Sequence, residues 1–180
     1  QAASQEITGF SFSYGAPTIE SNNLSITSGK QIGAPSVPVL VLATGEIQAD
    51  APDGIYLTQV NGDLFVDSVA SESDIQLSAL TGSIGTAGSA NPADSSLLLG
   101  AQGNAESESV PTIQADQLQL RSLHHLGAVG SHLEIGASSL AASTVVGDIN
   151  LAQSGNLAVD GAMRAGGAIR LMGDLHITVS

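Results

Sequence analysis

Residues Gly147 to Ser180 read GDINLAQSGNLAVDGAMRAGGAIRLMGDLHITVS, and in them short apolar, polar, apolar triplets keep returning between glycines. Ile149 and Leu151 recur as Ile169 and Leu171, and Leu157 and Val159 recur as Ile177 and Val179, each separation being 20 residues by subtraction. Two strands therefore repeat together at one distance. Within each triplet apolar residues alternate with small or polar ones, the period-2 signature of a strand with one buried face.

The same spacing runs upstream through GIYLTQVNGDLFVDSVASESDIQLSALTGSIGTAG, residues Gly54 to Gly88. Ile55 and Leu57 recur as Ile75 and Leu77, Leu64 as Ile84 and Gly62 as Gly82, again 20 apart by subtraction. A weaker third pair of coils places Ile113 and Ala115 against Leu133 and Ile135, and Leu120 against Leu140. A period near 20, brief strands and turns of Gly, Asn, Asp and Ser leave no room for helices. They predict an all-β fold, a parallel β-helix whose coils hydrogen-bond to one another. Nine coils of 20 would fill the 180 residues. The outward stacks on this register are Tyr56 over Gln76, Gln114 over Glu134 and Asn150 over Arg170. Such a mixed series lacks the single small hydroxyl residue per coil that an ice-binding array needs.

Two other folds use short repeats. A leucine-rich repeat needs L-x-x-L-x-L-x-x-N with a helical segment in each unit, and no segment here has it. An antiparallel sandwich suits strands every 8 to 12 residues but does not require recurrence in register at 20. The ladder itself breaks twice. Residues 1–50 hold strand-like pieces without a clear period and read as irregular or cap-like coils; 51–86 are regular coils. Residues 87–110 carry Pro, Gly, Ser and acidic side chains and read as a loop or irregular coil, and 111–180 return to coils.

Composition agrees with a column-like core. Hydrophobic residues make up 42% of the chain, yet only 3% are aromatic and none is Trp, so few large anchors are available. The 17 acidic against 4 basic residues give a formal charge of -13, which repels phosphate backbones and anionic membranes and argues against a nucleic-acid partner. Cysteine is absent, which excludes disulfides, thiolate metal sites and cysteine nucleophiles. The longest apolar run, Val37 to Ala43, is too short to span a membrane and contains Pro38.

GDINLAQSGNLAVDGAMRAGGAIRLMGDLHITV and GIYLTQVNGDLFVDSVASESDIQLSALTGSI resemble the repeats of filamentous haemagglutinin-like exoproteins, very large bacterial surface and secreted proteins. The likeness covers 54–86 and 147–179 and rests on degenerate G-[DN]-[ILV]-x-[ILV] units. It implies a right-handed β-helical shaft, exported by two-partner secretion or as an autotransporter passenger, that lies outside the cell and serves adhesion or biofilm cohesion. Its partners would be host or bacterial surface glycans or proteins, or neighbouring copies. The family's amino-terminal secretion domain is not legible here.

Candidate sites are sparse. His124, His125, His132 and His176 invite a transition-metal reading, but His125 and His132 are seven apart with no acidic partner at ligand spacing, and on the period of 20 His176 stacks over Asn156 rather than over another His. Asp50, Asp53, Asp63, Asp67, Glu72 and Asp74 offer oxygen ligands to calcium. Without an EF-hand or G-G-x-G-x-D nonapeptide they read more simply as turn formers bonding their own backbone. Carbohydrate-active β-helices need a base beside acidic metal ligands, or clustered carboxylates. The whole supply of cations is Lys30, Arg121, Arg164 and Arg170, and Arg170 has no carboxylate at the neighbouring outward positions of its strand. No nucleophile set can be assigned, so no catalytic residue is expected. Phe10, Phe12, Tyr14, Tyr56 and Phe65 are the aromatics. Alternation turns Tyr56 and Phe65 outward, where rings could contact a glycan or partner unless the amino-terminal segment packs over them.

Overall fold

The computed structural model describes residues 16–86, 112–128, 131–153, 157–159, 163–173 and 177–179. The described residues form fourteen strands and no helix. The strands are β1 (Ile19–Ser21), β2 (Leu24–Thr27), β3 (Val39–Ala43), β4 (Glu46–Asp50), β5 (Ile55–Gln59), β6 (Leu64–Ala70) and β7 (Ile75–Ala79). They continue as β8 (Ile84–Thr86), β9 (Ile113–Ser122), β10 (Leu133–Thr144), β11 (Ile149–Gln153), β12 (Leu157–Val159), β13 (Ile169–Met172) and β14 (Ile177–Val179). All named strand pairs are parallel and join one sheet. The result is a β-solenoid of about six turns. The expected loop at 87–110 and the aromatics Phe10, Phe12 and Tyr14 lie outside the described residues.

The predicted stacks stand on adjacent coils: Ile55 on Ile75 and Leu57 on Leu77, Leu64 on Ile84, Ile149 on Ile169 and Leu151 on Leu171, and Leu157 on Ile177. Because both faces of each inner rung are covered, Ile55, Leu57, Leu77, Ile84, Leu133, Ile149 and Leu151 are at most 1% exposed. Burial of that kind is worth about 1.5–3 kcal/mol per side chain. Ile169 departs from the expected interior. It stacks on Ile149 but remains 44% exposed, because it belongs to the last described rung of its column.

The third coil pair has a different register. Ile113 pairs with Ile135, Ala115 with Ala137, Leu118 with Leu140 and Leu120 with Ala142, a step of 22 rather than 20. Gln114 consequently lies over Gly136, not Glu134. A two-residue shift preserves which face is buried, so alternation alone could not distinguish the two registers.

The chain holds two copies of one unit. Ile19 on Val41, Val39 on Leu57 and Ile32 on Ile55 reappear as Ile113 on Ile135, Leu133 on Leu151 and Leu126 on Ile149. Each residue is displaced by 94 on subtraction of these numbers. The correspondence runs on through Ile75 and Ile169, with the same offset. The second copy is turned by one face. Leu126, the counterpart of Ile32, sits on Ile84 in the column that begins at Leu64, while the column of Ile55 and Ile75 continues into Leu118 and Leu140.

In each copy an excursion lies between two stacked rungs, 33–38 over Tyr56 and, among the described residues, 127–128 and 131–132 over Asn150. Ala34 and Val37 exchange both backbone hydrogen bonds, as do Ala128 and Ser131. Tyr56 N–H donates to the carbonyl of Ile32, and Asn150 N–H to that of Leu126.

Candidate functional site

Turns between coils are pinned by side chains of the coil below. Asn23 Oδ1 accepts from the N–H of Glu46 at 3.1 Å, Asp63 Oδ1 from that of Ser83 at 2.7 Å, and Asp148 Oδ1 from that of Ala168 at 2.7 Å. Asp63 therefore serves the backbone of the next coil, not its own as the sequence suggested. The Asp148 carboxyl is held below its ordinary value by the Ala168 N–H and then by the Arg170 guanidinium. Arg170 Nη1 reaches Asp148 Oδ2 at 3.2 Å and Asn150 Oδ1 at 3.2 Å. Arg170 thus has a carboxylate neighbour that the strand register did not include, because Asp148 stands in the turn just ahead of β11.

The calcium and metal candidates form no ligand cluster, although two of them, Asp50 and Glu72, line one cleft. Among the described residues, no three His, Asp or Glu side chains gather to hold a metal ion. Asp67 is the extra residue of a bulge between Val66 and Ser68 and accepts from Gln48 Nε2 at 2.5 Å. Asp74 is a negative charge near the Tyr56 phenol and helps to raise its pKa. His125 is a turn residue: its Nδ1 accepts from the N–H of Asp148 at 3.0 Å, and a Cβ on Gly147 would stand 2.8 Å from that nitrogen. His124 is exposed and His132 half-buried; His176 lies outside the described residues.

Tyr56 does not present a free ring. It is 7% exposed, and its ring lies back over Gly54, where an added Cβ would come within 3.0 Å of Cε2. Burial, then the negative charge of Asp74, push its phenol up from 10.0. Phe65 is half-buried, on a different strand and between Glu46 and Gly85 in register. The crevice it lines with Gly85, Gly127 and Ala128 is about 10 Å³, at the limit of a single water. β5 and β6 are not paired with each other, so the two rings do not form a common platform.

What the sequence reading missed is a cleft of about 500 Å³ lined by Asp50, Pro52, Ser71, Glu72, Gln114 and Asp116 among others. Its floor follows one outward column, in which Asp50 pairs with Ala70 and Ala70 with Gln114. Ser71 Oγ donates to the carbonyl of Pro52 at 3.2 Å, and the N–H of Asp116 to the carbonyl of Ser73 at 3.0 Å. Carboxylates from three coils, Asp50, Glu72 and Asp116, thus line one cleft. The jump from β7 and β6 to β9 across the long connection is what juxtaposes Asp116 with Glu72, and no fixed period reveals it.

These features define a parallel β-solenoid. No protein-family model, curated protein or solved structure matches this chain. No helix long and apolar enough to cross a membrane is present among the described residues.

Proposed function

We propose that this chain is a noncatalytic segment of a structural or adhesive shaft, part of a large secreted or cell-surface bacterial exoprotein that contacts surface glycans or proteins. The observation that carries the reading is the contrast between a uniformly apolar inside and a changing outside. One inner column runs Val39, Leu57, Leu77, Leu120, Ala142, while the outward column beside it runs Tyr56, Gln76, Gln119, Ala141. A pocket for catalysis or tight small-molecule recognition needs a few groups brought together, whereas a shaft needs only stacked coils. The resemblance of 54–86 and 147–179 to filamentous haemagglutinin-like repeats supports the same reading and supplies its extracellular setting.

The acidic cleft favours a second reading, a carbohydrate-binding or carbohydrate-active site, since clustered carboxylates serve glycosidic chemistry. Incubation with neutral and acidic polysaccharides, with and without calcium, separates the two. The shaft reading expects no product and no effect of Asp116→Asn on any glycan-array signal. Product release that Asp116→Asn abolishes would overturn it in favour of the enzyme.

A further inference from the structure

The chain has a single Asn-Gly pair, Asn61 and Gly62, in the turn that leads from β5 to β6. Asn followed by Gly is the dipeptide in which a main-chain nitrogen most easily reaches the side-chain amide before it, because glycine puts no Cβ in the way. Both residues are exposed, and there is open space where a Cβ of Gly62 would stand. The pair is nevertheless held on both sides. Gln59 Nε2 donates to the carbonyl of Asn61 at 2.8 Å, and Asp63 Oδ1 accepts from the N–H of Ser83 on the next coil at 2.7 Å.

Thr81 of that next coil sits on the pair. Its Oγ1 accepts from the N–H of Gly62 at 2.8 Å and donates to Asn61 Oδ1 at 3.1 Å. One hydroxyl, donor and acceptor at once, therefore touches both the nitrogen that would attack the amide and the oxygen that would take up the proton. In an unfolded chain a water molecule must find that bridging place. Here the stacking of one coil on the next supplies the group already positioned.

We propose that Asn61 and Gly62 form a self-modifying site, in which Thr81 is the catalytic hydroxyl for closure of the asparagine side chain onto the main chain. Gly62 N attacks Asn61 Cγ. As the N–Cγ bond forms, the Gly62 proton passes to Thr81 Oγ1 and the proton of Thr81 passes to Asn61 Oδ1, so the threonine is unchanged. The tetrahedral centre then collapses: the Cγ–Nδ2 bond breaks, the new hydroxyl gives its proton to the departing nitrogen, and ammonia leaves a five-membered succinimide. Water opens that ring at either carbonyl to give aspartate or isoaspartate. The sum is one water consumed and one ammonia released, with no oxidant or reductant. Either product adds a carboxylate beside Asp63, and isoaspartate also adds a carbon to the main chain between two rungs. The site is separate from the shaft reading and operates whatever the exterior binds.

The folded chain, aged at near-neutral pH, is expected to convert Asn61 severalfold faster than a synthetic peptide of residues 56–66, which carries the same Asn-Gly pair without Thr81. Peptide mass spectrometry reads the change from amide to acid, and labelling by an isoaspartyl methyltransferase reads the isoaspartate. Thr81→Val keeps the side-chain shape and removes the hydroxyl, and should slow the conversion severalfold. Thr81→Ser keeps the hydroxyl and should retain most of the rate. Circular dichroism confirms that both variants are folded. A folded chain that converts no faster than the peptide would overturn the proposal. So would a Thr81→Val protein that converts as fast as its parent or faster, since the hydroxyl would then be a restraint on the pair.

Discussion

Gly33 and Gly127 occupy one place in two copies of the same unit, at φ of 71° and 66°, each leading into an excursion that passes over a backbone carbonyl of the next coil. A Cβ would meet the carbonyl oxygen of Tyr56 at 2.6 Å from Gly33, and that of Asn150 at 2.1 Å from Gly127. A left-handed backbone costs a non-glycine residue about 1–2 kcal/mol by itself. Gly62, at φ 79° with nothing within 4 Å of its would-be Cβ, isolates that term. Gly127→Ala is expected to destabilise by clearly more than Gly62→Ala, measured by urea unfolding, since the oxygen at 2.1 Å cannot yield without breaking the rung.

Gln59 completes the backbone pairing at a corner where the strand leaves off. Its Nε2 donates to the carbonyl of Ala43 at 2.7 Å and its Oε1 accepts from the N–H of Ala43 at 3.0 Å. Gln59 is 0% exposed, so Gln59→Leu strips partners from two buried backbone groups at about 1–3 kcal/mol each. A loss of several kcal/mol in denaturant unfolding checks this. Gln59→Glu turns a buried carboxylate toward the carbonyls of Ala43 and Asn61 and should cost at least as much near neutral pH.

The solenoid concentrates stability in its columns. Leu151 is 0% exposed between Leu133 and Leu171, and Leu151→Ala should cost about 2–5 kcal/mol. Arg170→Gln, at a side chain 48% exposed in its ion pair with Asp148, should cost less than about 1 kcal/mol. Equal thermal shifts for the two variants would contradict the assignment of inside and outside.

Two groups give opposite pH signatures. Tyr56 is raised from 10.0, so its neutral phenol is the form that the fold favours. That contribution is intact below pH 10.0 and lost as pH rises through the higher folded value. Asp148 is lowered from 3.8, so its contribution is present above that pH and lost as pH falls through the lower folded value. Denaturant midpoints followed against pH should show a steeper alkaline decline for the native chain than for Tyr56→Phe, and a steeper acid decline than for Asp148→Asn.

The inner columns were legible because Ile, Leu and Val must alternate with polar residues and must recur wherever coils have equal length. Ile55, Leu57, Ile75 and Leu77, like Ile149 and Ile169, state the architecture without a structure. The signal fails where coil length changes. Leu133 and Ile135 are both apolar and two residues apart, so Ile113 found a plausible partner in either. The duplication was also present, in Ile-Gly-Ala and Leu-Gly-Ala at 32 and 126 and in IYLTQ and INLAQ at 55 and 149, but a period of 94 is invisible to a search for 20. Tyr56 illustrates a different limit. Its outward parity was right, and its burial was not legible because an excursion 23 residues earlier, counted from Gly33, lies over its strand. Asp50 and Glu72 stood out in a crowded acidic stretch, but their meeting with Asp116 in one cleft depends on the jump across the long connection, which no period reveals.

The central claim is that each coil lies in register on the last, and the coil pair whose step departs from 20 tests it most directly. Adjacent parallel rungs place paired Cα atoms about 4.8 Å apart, inside the range a disulfide spans, whereas a partner two residues out of register is about 8 Å away and beyond it. Gln114→Cys combined with Gly136→Cys is predicted to close an intramolecular disulfide readily under mild oxidation, with Gln114→Cys and Glu134→Cys staying reduced in the monomer. Closure of the 114–134 pair instead, or of neither, would contradict the stacked register on which the account rests.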